Sequence, residues 1–336
     1  MDMIPDIMLI KQGEDIENEV EDLFKYWRER GFPNYDKNEY DPYKILSDLI
    51  KFNEESLWEG NEIQQSMLGC GFLWTYFPHW INVTYNGGTE SVASCWNDDN
   101  KLRTLIRKTY RWQQKFGNGF FTVNRLRQNA KVYCSKQSVS NFRPTVAKLI
   151  YNTYGNNGKV WDMSGGYGGR LLGFLSSNCT SYVATDPCTD TVAGLNDLYN
   201  TYKDLTDKDV TIIKSGSEDY LPDKESLDLC FTSPPYFNTE MYSDENTQSY
   251  KKFSDKQSWI NDFLGKTMSN CWYGLKPGRF MIINIANVSS FKDLESATID
   301  KAKEIGFILE DTKYMVLSSV AGKGKKFEPI FIFKKP

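Results

Sequence analysis

From residue 159 onward, short apolar runs alternate with helix-like stretches, and this constrains the fold more than any other feature of the chain. Val160-Trp161-Asp162-Met163, Tyr182-Val183-Ala184-Thr185-Asp186, Val210-Thr211-Ile212-Ile213, Leu227-Asp228-Leu229-Cys230-Phe231 and Phe280-Met281-Ile282-Ile283-Asn284-Ile285 read as strands. Parallel neighbours in a sheet need crossovers of a dozen or more residues, and the spacing supplies them. The chain is therefore expected to build a doubly wound α/β sheet. The segments 312–317 and 329–333 read as a closing antiparallel hairpin with a long connection. The first strand runs into Ser164-Gly165-Gly166-Tyr167-Gly168-Gly169 and then a helix. Strand, glycine turn and helix together let backbone amides approach a ligand.

The 336 residues suit two domains or one enlarged one. Aromatic content of 15% and 25% charged residues describe a globular chain, not a disordered or fibrous one. No run approaches the roughly 18 apolar residues of a membrane span. Met1 to Asp6 is acidic and lacks the basic flank of a signal peptide, so a cytoplasmic protein without membrane contact is expected. Seven cysteines (70, 95, 134, 179, 188, 230, 271) form no CxxC pair and are expected as reduced, buried thiols. With one histidine, His79, no metal site is expected.

The formal charge of −4 conceals a partition. Residues 1–99 carry 7 basic and 20 acidic side chains, whereas 100–161 carry 13 basic and no acidic ones. Such asymmetry points to a polyanionic partner. The acidic lead, 1–99, contains helical patterns at 17–30 and 42–52 and a turn at Asn86-Gly87-Gly88. Its aromatic run Phe72 to Trp80 suits a core better than a stacking surface. In 102–116 helical periodicity puts Leu102, Leu105, Ile106, Thr109, Trp112 and Phe116 on an apolar face. Arg103, Arg107, Lys108, Arg111 and Lys115 fall on the other face, where they are expected to meet phosphates. Beyond Gly117-Asn118-Gly119 the basic run continues through Arg125, Arg127, Lys131, Lys136, Arg143 and Lys148. A further helix starts at Pro144, with Gly155 as its C-cap. Three regions result: an acidic helical lead (1–99), a basic helical segment (100–158) and the sheet (159–336). The lead either braces the basic segment, contacts a protein partner or carries target recognition.

Thr232-Ser233-Pro234-Pro235-Tyr236 follows the strand 227–231 directly. Two prolines at a strand's carboxyl end abandon ladder bonding and leave free carbonyls, at the edge where open α/β sheets bind ligands. The Ser233 hydroxyl and the Pro234 carbonyl are placed to accept the two N–H bonds of an amino group, with Tyr236 offering a face to a planar base. Asp186, ending the second strand, suits paired hydrogen bonds from ribose hydroxyls. The polar insert 237–253, with Tyr242 and Tyr250, is a candidate loop over the substrate.

At these residues the chain resembles the S-adenosylmethionine-dependent amino-methyltransferases of DNA, the N4-cytosine and N6-adenine group. The resemblance covers about 141–336 and rests most on the pentapeptide 232–236. It implies a Rossmann-like seven-stranded sheet with a C-terminal antiparallel hairpin. It also implies that S-adenosyl-L-methionine is held by Asp162, Ser164, Gly165, Gly166, Gly168 and Asp186, with Glu218 and Asp219 beside the adenine. Phe142, Arg143, Pro144 and Thr145 resemble the element that closes on the methionine end. Ser233, Pro234, Pro235 and Tyr236 would be catalytic, acting on the amino group of a flipped base. Serine at the motif's first position leans toward cytosine N4, where aspartate or asparagine more often accompanies adenine N6. The 100 residues after Tyr236 are expected to be taken up by the remaining strands, so no C-terminal target-recognition domain is expected. DNA is the expected partner, with RNA, a protein amide and an inactive binding protein as alternatives.

Overall fold

The acid-rich first turn of α1 (Ile16–Arg30) and its basic last turn match the helix dipole, and Val20, Leu23, Phe24 and Trp27 make its buried stripe. The computed structural model describes residues 7–9, 16–85, 87–117, 120–134, 139–320 and 324–336. Met1 to Asp6, Asn86, Asn118, Gly119 and Lys136, which carry parts of the sequence reading, lie outside the described residues. The chain divides into two compact units that cut across the expected boundaries at 99 and 158. One comprises 1–34, 79–140 and 240–242; the other comprises 35–78, 141–239 and 243–336.

The first unit is mainly helical, with two small antiparallel ribbons, Ile7–Leu9 against Phe120–Thr122 and Thr84–Tyr85 against Glu240–Met241. α2 (Asp99–Phe116) begins at Asp98, whose carboxylate accepts from the amides of Asn100 and Lys101. It buries Leu102, Leu105, Ile106, Thr109, Tyr110 and Gln113. The apolar stripe is shorter than its periodicity predicts, because Trp112 is half-buried and Phe116 is 63% exposed. α3 (Val123–Tyr133) is capped by Thr122, and Asn129 donates to Thr109 of α2 at 3.0 Å. Edge-on contacts among Phe32, Trp80 and Trp96 fill the interior. Cys95 and Cys134 form a disulfide across Cα atoms 5.4 Å apart, which corrects the expectation of seven reduced thiols. Their separation of 39 residues gave no local signal, and the pair is made by tertiary packing alone. The other five cysteines are buried and free.

The second unit is built on one Rossmann-like sheet. In chain order its strands are β1 (Trp58–Glu59), β2 (Glu62–Ile63), β3 (Lys159–Asp162), β4 (Ser181–Asp186), β5 (Asp209–Lys214), β6 (Leu227–Thr232), β7 (Leu275–Asn284), β8 (Ile308–Val320) and β9 (Gly324–Lys334). They lie in the order β1-β2-β8-β9-β7-β6-β3-β4-β5. β3 to β7 are mutually parallel, and β9 runs antiparallel between β7 and β8. The seven expected strands are present, and the lead adds β1 and β2 on the β8 edge, making nine. The closing hairpin pairs out to Val320 and Gly324, so its connection is short, not long. Helical spacing predicts a buried stripe of Val146, Leu149, Ile150, Thr153 and Tyr154 for α4 (Pro144–Tyr154), but the helix is buried throughout from Pro144 to Tyr151, while Thr153 faces outward. α5 (Gly169–Leu175) follows β3, and α6 (Thr189–Tyr202) follows β4. The run from Phe72 to Phe77 is core, as expected, with Phe77 fully buried. No helix among the described residues is long and apolar enough to cross a membrane.

Candidate active site

β3, β4, β5 and β6 end along one sheet edge, and the candidate residues follow those ends. Gly166 and Gly168 have φ of +55° and +76°, which side chains resist, so the loop after β3 requires glycine there. A Cβ on Gly168 would fall 2.7 Å from Leu198 and 3.1 Å from Phe77, whereas one on Gly166 would meet nothing closer than 3.7 Å. Gly166 therefore presents bare backbone with room above it. Gly165 donates to the Thr185 carbonyl at 2.9 Å, tying the loop to β4. The Asp186 carboxylate accepts from the amides of Gly166 and Cys188, each at 3.0 Å. Burial pushes its pKa up to about 6, against the pull of those two amides.

Asp162 is placed differently from the expectation. Its carboxylate is 1% exposed and accepts from Ser164 N, Arg170 Nε at 2.8 Å, Tyr182 OH at 2.7 Å and, weakly, Thr232 Oγ1. With its acceptor capacity spent inside the fold, Asp162 shapes the loop and has no lone pair to offer a ligand. Arg170, in the first turn of α5, was not singled out from sequence; it is the buried countercharge. Phe142 packs edge-on against Phe231 of β6, and its carbonyl lies where a side chain on Gly169 would have to go. Arg143 donates to the Leu317 carbonyl at 3.0 Å while its Nε is buried without a partner. Pro144 opens α4, and the buried Thr145 hydroxyl is likewise unpaired.

After β5, Glu218 is buried and Asp219 more exposed, and Lys252 of the insert pairs with both. The second Glu218 oxygen is buried with no donor, an arrangement that costs free energy unless a ligand hydrogen supplies one. The insert is ordered over this edge. Glu245 accepts from Thr189 N and Oγ1 at 2.8 Å each, Thr247 donates to the Pro187 carbonyl, and Tyr250 donates to the Ser243 carbonyl. Together with the Lys252 pairs, these contacts tie the insert to the segments after β4 and β5, next to Asp186 at the end of β4 and at Glu218 in the turn after β5.

β6 ends at Thr232, and the motif leaves the sheet there. Ser233 Oγ and the Pro234 carbonyl accept nothing from the described residues. Tyr236 is half-buried, with its hydroxyl 3.5 Å from the Asn284 carbonyl at the end of β7. Sequence reasoning missed Glu328 of β9, a carboxyl set beside Tyr236, Asn284 and Arg143 and raised in pKa by burial. Its only signal was a lone acid in the apolar run 327–333.

The basic residues of the helical unit separate into two groups. Arg103 pairs with Glu21 and Arg107 with Glu17, the latter at 2.6 Å, so α1 neutralises part of the face expected to meet phosphate. Lys101 pairs with Glu90. Arg127 is a clear correction. It is buried and donates to the carbonyls of Pro33 and Asn34 and to Asn124, which leaves no guanidinium edge for a phosphate. Lys108, Arg111 and Lys115 are exposed, and Arg125 lies over the Trp112 ring.

No family model matches the chain, and no curated protein matches it. Among solved structures, the 4+2 cyclase SpnF matches at 11% identity over 57% of this chain and 81% of its own, with a TM-score of 0.42. TrmN from Thermus thermophilus matches at 13% identity over 57% of this chain and 49% of its own, with a TM-score of 0.40. A methyltransferase from Pyrococcus furiosus matches at 14% identity over 57% of this chain and 82% of its own, with a TM-score of 0.39.

Proposed function

We propose that the chain is a DNA methyltransferase that uses S-adenosyl-L-methionine to methylate the exocyclic amino group of an unstacked base, cytosine N4 in preference to adenine N6. The observation that carries the reading is the pair of unpartnered acceptors, Ser233 Oγ and the Pro234 carbonyl, beside Tyr236 at the carboxyl end of a buried parallel strand. The residues along that edge fit the cofactor. Gly166 offers half-buried backbone with room above it, and each Asp186 oxygen keeps a lone pair for a ribose hydroxyl after serving one amide. Glu218 has an unpaired oxygen for an amino hydrogen. Bound there, S-adenosyl-L-methionine would supply an electrophilic sulfonium methyl, the broken S–C bond leaving a neutral thioether and the methylated amino nitrogen giving up one proton to water.

The chain's own residues do the rest. An aromatic amino nitrogen is a poor nucleophile because its lone pair is delocalised into the ring. By accepting its two N–H bonds, Ser233 and Pro234 favour a tetrahedral nitrogen with a localised lone pair. The two prolines fix those acceptors before substrate arrives, so catalysis rests on positioning and on fixed dipoles. Tyr236 stacks the extruded base, and Phe142 to Thr145 close the methionine side.

The test is methyl transfer from labelled cofactor to DNA, with nucleosides of the product identified by mass spectrometry. A Ser233→Ala/Tyr236→Ala variant is expected to lose at least 100-fold in rate, about 2.7 kcal/mol, with cofactor binding retained. Full activity of that variant sinks the assignment, and N6-methyladenine as the product reverses the base preference. Transfer to RNA but not to DNA replaces the substrate class.

A further inference from the structure

On the helical unit a groove of about 550 Å³ is lined by Trp112, Gln113, Phe116, Asn124, Arg125 and Gln128. Its size is within the range of small-ligand sites, and its lining combines two aromatic rings, a guanidinium and three amides. Trp112 and Phe116 belong to the face whose periodicity predicts burial, yet neither is buried; their ring centres are 5.7 Å apart and tilted by 47°. The Arg125 guanidinium sits 3.5 Å from the centre of the Trp112 ring and has no carboxylate partner among the described residues. Lys115 lies 5.0 Å from the Phe116 ring. On α2, Lys108, Arg111 and Lys115 occupy the strip next to Trp112 and Phe116, and 100–161 contains no acid. The carboxylate of Glu17 is taken by Arg107 and lies near Arg111, short of the groove lining.

We infer that this groove binds an unstacked nucleobase of a nucleic-acid strand. The base stacks on Trp112 and Phe116, Arg125 and the amides of Gln113, Asn124 and Gln128 meet its polar edges, and Lys108, Arg111 and Lys115 take neighbouring phosphates. Aromatic rings flanked by cations are how proteins hold single strands, because every base has a π-face and every nucleotide a charge. Asn124 already accepts from Arg127 at 3.0 Å, which turns its amide hydrogens toward other acceptors. The groove gives this chain a base-reading surface outside the catalytic sheet. The inference rests on the reading that the substrate is nucleic acid.

The experiment is fluorescence anisotropy of the full chain with labelled single strands of about 12 nucleotides, intact or with every base removed, at several salt concentrations. Trp112→Ala is expected to weaken intact-strand binding about tenfold without changing the slope of log Kd against log salt. Trp112→Phe should restore most of the affinity. The abasic strand should bind the unmodified chain as weakly as the intact strand binds Trp112→Ala. Lys115→Ala should lower the salt slope by about 0.7. Equal binding of intact and abasic strands, or unchanged affinity in Trp112→Ala, overturns the inference, as does equal competition by polyglutamate. Methylation is measured in parallel. A chain that binds strands through Trp112 but methylates nothing overturns the enzyme reading alone. One that methylates while Trp112→Ala binds normally overturns the groove alone.

Discussion

At Asp186 the proposed ligand contact and a proton meet on one carboxyl. Its carboxyl has an ordinary pKa of 3.8 when exposed and is pushed to about 6 in the fold by burial. Between those values the folded chain holds a proton that the unfolded chain has lost, so stability falls as pH rises through this window and then levels off. The whole effect is about 3 kcal/mol at most. Cofactor binding is expected to run the other way, because ribose hydroxyls donate only to the ionised carboxylate. Affinity for S-adenosyl-L-methionine should drop about tenfold per unit as pH falls below about 6, and Asp186→Asn should bind weakly with no pH dependence. Calorimetric titration between pH 5 and 8 reads both, and a flat profile for the unmodified chain refutes the role. The sequence located this acid at the end of its strand because a strand end before a helix is a local pattern. It misjudged Asp162 because the partner that consumes it, Arg170, is eight residues on and across a turn, where no periodicity signals the contact.

At the scale of elements, α2 was legible in its extent and misread in its faces. Helical spacing predicts which residues share a side, but not which neighbour covers that side. α1 covers the arc holding Arg103 and Arg107, with Arg103 also packed 3.6 Å over the Phe24 ring, and leaves Trp112 and Phe116 outside. The acidic lead thus serves in part as an internal counter-charge, and the charge sum of 100–161 overstates what a polyanion meets. The consequence is measurable in DNA binding. Arg103→Gln and Arg107→Gln should leave the salt slope unchanged, since their counter-ions are glutamates, whereas Lys108→Gln and Lys115→Gln should each lower it by about 0.9 on duplex DNA. Equal effects from all four would mean that α1 yields its acids when DNA binds.

For the whole molecule, the chain order of sequence features concealed how the units are assembled. Composition shifts suggested contiguous regions, yet 35–78 folds with the sheet and contributes β1 and β2 to it. A pairing such as Tyr314 with Glu62 has no local signature, because β2 is only two residues long, too short to carry alternation, and its partner β8 lies some 250 residues on. Phe77, at the end of that inserted stretch, is fully buried where side chains on Gly168 and Gly194 would otherwise stand, so it wedges the glycine loop after β3 against α6. Truncating it removes packing from both. Phe77→Ala is expected to cost about 3–5 kcal/mol in urea unfolding and to weaken S-adenosyl-L-methionine binding, although Phe77 itself is fully buried. Phe77→Leu, which refills most of the volume, should recover both properties together. Recovery of stability without recovery of binding would show that the aromatic ring itself meets the cofactor, and that the loop does not depend on the wedge for its shape.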